Sequence, residues 1–310
     1  MPPRRVLLAT GLAFALGALP ARAARQLRIG YQKSGSLALA RRQGGVEAAL
    51  HPAGATVAWT EFPAGPPIME ALSAGAIDIG YAGDAPPIFA QASGAELLYA
   101  AATPGGSNAA ILLPPGSTLQ ALGGLKGRRV AFARGSSAHN LVVAALETVG
   151  LAPSDVQPVH LAPSDAAAAF RSGAVDAWAI WDPYCAVAEA QPGVRVLARS
   201  ADIAPENTFL LVSRAAARAD PELVGLAMRA LGESGAWAEA HRDELAQLLS
   251  ETTGVPLDAM RRAVARAHYG FAPMDAGIVA QQQAIADRFA RLRLIPARIT
   301  VADALWHPAS

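Results

Sequence analysis

A Gly-Ser-Ser turn joins a short apolar run to an amphipathic helix between Arg128 and Gly150. The run Val130–Ala133 is typical of a buried strand, and apolar residues recur at helical spacing from Ala138 onward. Such a turn leaves the first N–H groups of the helix unpaired, with the positive end of the helix dipole behind them. This arrangement binds anions without a side-chain cation. A serine of the turn can equally cap the helix, so this stretch alone leaves both interpretations open.

Three further predicted strands also run into polar or aromatic turns. These turns are Gln32–Ser36, Gly83–Asp84 and Trp178–Tyr184. Because ligands of parallel α/β sheets bind at the carboxyl ends of the strands, the turns predict one shared site. Helix starts, hydroxyls, amides and a tryptophan, with few charges, suit a small anion with an apolar tail. Arg134 and Lys33 are the cations near these turns.

Each candidate residue also has a purely structural interpretation. Asp84 can cap its own helix, and His139 in a first helical turn is commonly neutral or capping. Trp178 and Trp181 are three residues apart on one strand, so they point to opposite faces and only one can face a cleft. Cys185, the single cysteine, is either a small buried residue or a nucleophile with a histidine across the cleft.

Composition and the first residues indicate an exported protein. The chain has 310 residues, 52% of them hydrophobic, and a net charge of +1, which gives no indication of nucleic acid or a membrane surface as a partner. A basic pair, the apolar stretch Val6–Pro20 and the small residues around Ala23 predict a signal peptide over residues 1–23. The apolar stretch is too short to span a bilayer. The paired arginines are compatible with twin-arginine export, and we favour an ordinary Sec signal.

Strands and helices alternate along the first two thirds of the mature chain, which predicts a mainly parallel sheet covered by helices. From Pro221 onward the pattern is helical. We therefore expect an α/β fold with a first lobe over residues 24–114, a second lobe over 115–213, and a helical return over 214–310 that completes the first lobe. Hinges are predicted at Pro114–Ser117 and at Ser213–Arg214.

Several blocks of the chain, in order, resemble the periplasmic aliphatic-sulfonate-binding proteins of ABC importers, within the wider sulfonate, nitrate and taurine solute-binding family. The resemblance runs from about Leu27 to Trp306. It rests on RIGYQKSGSL, WTEFPAGPPIMEAL, GAIDIGYAGDAPPIFAQ, LKGRRVAFARGSSAHNLVVAALETVGL, AVDAWAIWDPY, Tyr269-Gly270, QQQAIADRFARLRLIP and VADALW.

The resemblance implies a type II periplasmic binding protein fold, in which two α/β lobes close over a ligand between them. It implies a monomeric, non-enzymatic periplasmic protein that needs no cofactor or metal. Such a protein delivers an organosulfonate to membrane permease subunits for sulfur acquisition. The alternatives are a binding protein for another oxyanion (nitrate, taurine or a carboxylate) and an enzyme on the same fold, such as a desulfinase. The ligand-binding residues it implies are Gln32, Ser34, Gly83, Asp84, Ser136, Ser137, His139, Trp178, Trp181, Asp182 and Asn207.

Two departures from the family pattern concern the polarity of the cleft. Ala82 and Ala85 stand where the family usually has threonines beside Gly83-Asp84, and no acidic residue is evident at Ser107–Ala110. We expect a less polar cleft, suited to a bulkier or more apolar sulfonate or to another anion.

Overall fold

The computed structural model describes residues 25–204 and 206–307, so the predicted signal peptide lies outside the described residues. The first part of the chain alternates strands and helices, as the sequence predicts. It contains β1 (Arg25–Tyr31), α1 (Ser36–Gln43), α2 (Gly45–Leu50), β2 (Ala55–Glu61), α3 (Gly65–Ser73), β3 (Ile79–Gly83), α4 (Ala85–Ala92) and β4 (Leu97–Gly106). One helix is expected over Leu37–Leu50, but Gly44 divides it because this glycine adopts the left-handed conformation, φ 69°.

The middle of the chain forms the second lobe. Its elements are β5 (Ala109–Leu113), β6 (Arg129–Phe132), α5 (Ser137–Thr148), β7 (Gln157–His160), α6 (Pro163–Arg171), β8 (Ala177–Trp181), α7 (Tyr184–Glu189), β9 (Arg195–Arg199) and α8 (Ser200–Ile203).

The chain then returns to the first lobe through β10 (Glu206–Ser213) and a helical tail. The tail contains α9 (Arg214–Ala219), α10 (Pro221–Ala240), α11 (Arg242–Thr253), α12 (Leu257–Arg266) and α13 (Ala276–Arg291). Short 3₁₀ helices lie at His51–Ala53, Leu122–Leu125, Pro153–Asp155 and Val301–Ala304.

Two five-stranded sheets hold the lobes, in the orders β2-β1-β3-β10-β4 and β7-β6-β8-β5-β9. In each sheet three strands pair in parallel, and one strand is inserted antiparallel between two others: β10 between β3 and β4, and β5 between β8 and β9. Each sheet is buried between helices, which explains its continuous apolar runs.

The crossings between lobes differ from the predicted hinges. β5, expected at the end of the first lobe, belongs to the second sheet, and β10, expected in the second lobe, belongs to the first sheet. The chain therefore crosses between Gly106 and Ala109 and again between Ile203 and Glu206. The prolines at 114 and 115 end a core strand of the second sheet, because proline cannot donate to the ladder; they do not mark the hinge.

Candidate functional site

A cavity of about 100 Å³ lies between the two lobes. Gln32 and Ser34, in the turn between β1 and α1, line it from the first lobe. Ser136 and Ser137, at the start of α5, line it from the second lobe. The cavity thus sits at strand ends of both sheets, where the sequence predicts the site.

Two helices begin at this cavity without a side-chain cap. α1 begins after Gly35, whose φ of 97° only glycine adopts readily, and no side chain accepts from its first N–H groups. α5 begins after Ser136, whose Oγ donates to the Ala133 carbonyl at 2.7 Å and does not cap the helix. The capping interpretation of this serine is therefore wrong, and both helix starts can receive an anion from opposite sides of the cleft.

The start of α4, by contrast, is capped by Asp84, whose Oδ1 accepts from the Ala85 N–H at 2.6 Å. Its Oδ2 accepts from Asn140 Nδ2 at 2.7 Å. Burial raises the pKa of Asp84 to about 6. Asp84 is buried and does not line the cavity. The structure therefore favours a helix-capping role for Asp84 over the predicted ligand contact.

His139 also lies away from the cavity. Its ring stacks on Phe132, with centroids 5.0 Å apart, and on Phe289 at 5.7 Å. Its Nδ1 accepts from the Gly135 N–H at 3.3 Å. Burial, together with the nearby His160 and Arg134, lowers its pKa to about 4. His139 is thus a neutral aromatic contact, placed on the apolar side of α5.

The two tryptophans separate as strand alternation requires. Trp181 lines the cavity, whereas Trp178 is buried against Phe170, with ring centroids 5.4 Å apart. Trp178 borders a different cavity of about 390 Å³ beside α6 and α7. The structure thus decides which tryptophan faces the cleft.

Asn207 points away from the cavity because successive side chains along a strand alternate between its two faces. Its Oδ1 accepts from the Gly105 N–H at 3.2 Å, and its Nδ2 donates to Gln281 Oε1 at 2.8 Å. Its neighbours Glu206 and Thr208 both line the cavity, because residues two apart on a strand share a face.

Several residues that line the cavity were not predicted from the sequence. Glu206 matters most among them because it adds a buried carboxyl group. It is 8% exposed and begins β10, two positions before Thr208, where the sequence pattern predicts the strand to start. The sequence feature that could have indicated Glu206 is an acidic residue directly before an apolar strand. The further polar and apolar lining residues include Gly35, Tyr81, Thr103, Asn108, Thr208, Met260, His268 and Tyr269.

The predicted Asp182 and Gly83 both line the cavity. Asp182 Oδ1 accepts from the Ala186 N–H at 2.9 Å, and Arg266 Nη1 lies 3.6 Å away. Burial, only partly offset by Arg266, raises the pKa of Asp182 to about 6. A Cβ on Gly83 would lie 1.9 Å from Ser137 Oγ, so any other residue here would have to displace this hydroxyl.

Glu206 differs from Asp182 because no cation in the described residues offsets its burial as Arg266 does for Asp182. Burial, the Asp84 carboxyl and Asp182 raise its pKa to about 8, and the Ser137 hydroxyl offsets this only in part. Its carboxyl is therefore largely neutral at pH 7. The described lining contains two carboxyl groups, those of Asp182 and Glu206, whose pKa values are both raised, and no lysine or arginine. The alanines at 82 and 85 are buried and do not line it.

Two ion pairs join the lobes. Arg266 of α12 binds Glu189 of α7 at 2.5 Å, and Arg288 of α13 binds Glu147 of α5 at 2.8 Å. Cys185 lies buried beside the first pair, and burial raises the pKa of its thiol. This cysteine is therefore not an activated nucleophile.

Over residues 25–204 and 206–307, no group of three His, Cys, Asp or Glu is placed to hold a metal ion. No helix within those ranges combines the length and the apolar character needed to cross a bilayer.

Comparison with known proteins places the chain among solute-binding proteins. The NMT1-like family matches residues 20–250. An aliphatic sulfonates-binding protein of Escherichia coli (strain K12) is 39% identical over 284 residues, covering 91% of this chain and 89% of that protein. A second aliphatic sulfonates-binding protein, from Bacillus subtilis (strain 168), is 33% identical over 283 residues, covering 90% of this chain and 85% of that protein. Both relatives are named as binding proteins and not as enzymes, in agreement with the sequence prediction.

Solved structures agree with the sequence relatives. The alkanesulfonate-binding protein SsuA from Xanthomonas axonopodis pv. citri, bound to MOPS, has a TM-score of 0.85 at 40% identity, covering 91% of this chain and 98% of that one. The periplasmic aliphatic sulphonate binding protein SsuA from Escherichia coli has a TM-score of 0.82 at 38% identity, covering 92% and 93%. The predicted two-lobed periplasmic binding protein fold is confirmed. The chain belongs to the NMT1-like family and, within it, to the periplasmic aliphatic-sulfonate-binding proteins.

Proposed function

We propose that this protein captures an organosulfonate between its lobes in the periplasm and delivers it to the permease of an ABC importer for sulfur acquisition. The observation that carries the proposal is the pair of uncapped helix starts, α1 and α5, which face one cavity from opposite lobes. A sulfonate stays ionised at any physiological pH and is a weak base, so oriented N–H and O–H donors suit it better than a counter-charge.

Binding and lobe closure are coupled in this arrangement. A ligand held by Gln32 and Ser34 of one lobe and by Ser136 and Ser137 of the other stabilises the closed form, because its contacts to both lobes exist only there. The Arg266–Glu189 and Arg288–Glu147 pairs add contacts that also depend on closure. The closed, ligand-bound surface is what we propose the permease recognises, with the protein acting as a monomer.

The apolar part of the ligand has its own place in the cavity. Trp181, Met260 and Tyr269 line the same space as the helix starts. An inorganic oxyanion such as nitrate would leave this surface uncovered, which favours a sulfonate with an organic tail. An enzyme reaction is disfavoured because the Cys185 thiol is fully buried and its pKa is raised by burial and by the nearby carboxylates of Asp182 and Glu189.

Thermal unfolding against a ligand panel tests the proposal. The panel contains alkanesulfonates of increasing chain length, taurine, matched carboxylates, sulfate and nitrate. A ligand that binds only the folded protein raises the unfolding midpoint with the logarithm of its concentration. We expect shifts with sulfonates and not with carboxylates of equal length. A shift with inorganic anions alone would refute the sulfonate assignment.

A variant pair locates the binding. Ser137→Ala removes a hydroxyl at the start of α5 and is expected to reduce the shift caused by sulfonates. Ser172→Ala removes an exposed hydroxyl whose only described partner is the Ala169 carbonyl, and it serves as the matched control. Equal shifts in both variants would contradict the placement of the sulfonate at α5.

A further inference from the structure

The cavity of about 390 Å³ beside Trp178 is a groove between two helices of the second lobe. Its walls are one face of α6 and one face of α7, because the lining residues recur at helical spacing. They are Ser164, Ala167 and Arg171 of α6, and Tyr184, Val187 and Ala188 of α7. The small alanine side chains leave the space between the helices open. Seven residues of α6 separate Ser164 from Arg171, so the groove is roughly 10 Å long.

The first lobe covers part of this groove. Lys33, in the turn between β1 and α1, lines the same cavity. So do Val255 and Pro256, in the loop between α11 and α12. A molecule in the groove therefore contacts both lobes. Because these contacts exist together only when the lobes are closed, such a molecule stabilises the closed form.

The groove carries positive charge that no described residue compensates. Lys33 and Arg171 both line it, and neither takes part in the ion pairs of the described residues. Over residues 25–204 and 206–307, no Asp or Glu lines it. Both cations are exposed, so an incoming ligand can reach them. This excess of cations indicates an anionic ligand.

The base of the groove is aromatic. Trp178 belongs to β8, the strand against which both helices pack, and its ring lies 5.4 Å from that of Phe170 between centroids. Both residues line the cavity. Trp178 is 2% exposed, and its Nε1 has no acceptor within the described chain. Buried indole N–H groups usually have a partner, so Trp178 adds an unused donor to the wall of the cavity.

The volume of the groove sets the size of the ligand. A cavity of about 150 Å³ is sufficient to bind benzene. The groove has more than twice that volume and therefore has room for two fused aromatic rings.

We propose that this groove is a second ligand site, separate from the cavity at the helix starts, and that it takes a two-ring aromatic carboxylate. The rings lie against Trp178 and Phe170, and the carboxylate pairs with Arg171, with Lys33 adding positive charge. Occupancy joins the two lobes and so raises the affinity of the first cavity for its own ligand. This inference goes beyond the proposed function and does not depend on which ligand the first cavity binds.

Three probes test the site by isothermal titration calorimetry at pH 7. They are 2-naphthoate, the uncharged 2-naphthamide of nearly the same shape, and the smaller benzoate. We expect one 2-naphthoate per chain. The amide should bind about tenfold more weakly, because it cannot form the charged pair. Benzoate should also bind more weakly, because it leaves part of the groove unfilled. Equal affinities for all three probes would overturn the proposal.

Variants locate the bound naphthoate. Arg171→Gln should weaken 2-naphthoate about tenfold and leave 2-naphthamide unchanged. Arg218→Gln is the matched control, because Arg218 is also an exposed arginine in the last turn of its helix and lies outside the lining. Ala167→Leu fills the groove and should abolish binding of both compounds. Unchanged naphthoate binding in Arg171→Gln or in Ala167→Leu would overturn the site.

A second titration tests the coupling between the two cavities. Butane-1-sulfonate is titrated with and without saturating 2-naphthoate, and we expect its affinity to rise about fivefold or more. Weaker sulfonate binding would show that both compounds compete for the first cavity, and an unchanged affinity would overturn the joining of the lobes. Failure of butane-1-sulfonate to bind at all would contradict the proposed function alone, since naphthoate binding that is lost in Arg171→Gln would still support the second site.

Discussion

The hydroxyl of Ser137 in the second lobe packs directly against Cα of Gly83 in the first, since a Cβ at Gly83 would lie 1.9 Å from Ser137 Oγ. The two lobes thus approach each other with no side chain between them at this point. Gly83 ends β3 and Ser137 begins α5. The contact sets how closely the strand end and the open helix start can face one ligand.

Gly83→Ala is therefore expected to weaken ligand binding. The added methyl must displace Ser137 or hold the lobes apart, at a cost of about 1–3 kcal/mol typical of overpacking. Titration calorimetry with the best sulfonate of the panel measures the loss. Gly123→Ala is the control, because nothing lies within 4 Å of its Cβ position. Equal affinities for the two variants would contradict the contact.

The affinity for a simple alkanesulfonate should fall as the pH rises above about 8. The ligand keeps its charge throughout, whereas Glu206, with its pKa raised to about 8, becomes a carboxylate that repels it. We expect a loss of up to about tenfold for each pH unit above that value. Titrations of butane-1-sulfonate between pH 6 and 9.5 measure it. In Glu206→Gln the dependence should disappear; its persistence would assign the effect to another group.

The stability of the ligand-free protein should fall as the pH rises from about 4.5 to about 8 and then level off. Because the folded-state pKa of Glu206 is raised, its neutral form favours folding fully below the unfolded value and loses that advantage as the pH rises through about 8. Glu206→Gln should therefore unfold at a higher temperature than the unaltered protein at pH 9, with a smaller difference at pH 5. A larger difference at pH 5 would contradict this assignment.

The two tryptophans should respond differently to ligand. Trp181→Phe should lose most of the ligand-induced change in fluorescence, because Trp181 lines the cavity. Trp178→Phe should keep that change but lower the free energy of unfolding by about 1–3 kcal/mol, since it removes part of a fully buried ring. Fluorescence titration and urea denaturation measure the two effects. A ligand signal that depends on Trp178 would reverse the assignment.

Cys185 should be chemically inert in the folded protein. Its thiol is fully buried and its pKa is raised by burial and by the nearby Asp182 and Glu189, so little thiolate forms at pH 8. We expect no alkylation by iodoacetamide until urea unfolds the chain, as measured by mass spectrometry. Cys185→Ala should bind sulfonates with unchanged affinity. Stoichiometric labelling of the folded protein would instead support the enzyme alternative.

The sequence alone determined the fold class and the family. The alternation of apolar runs with amphipathic helices, ended by glycines and polar turns, depends on local periodicity and needs no knowledge of distant contacts. The same local signals placed Gln32, Ser136 and Trp181 at strand ends, and the ordered blocks carried the resemblance to sulfonate-binding proteins.

Tertiary structure alone decided which polar residues line the interlobe cavity. Asp84 and His139 have the right types and positions, but one caps its helix and the other is stacked among phenylalanines. Glu206 reaches the cavity because β10 inserts antiparallel between β3 and β4, a pairing between segments more than a hundred residues apart. Side-chain direction along a strand is set by that register. The charge of the binding site was therefore decided by long-range strand pairing, which local sequence patterns do not contain.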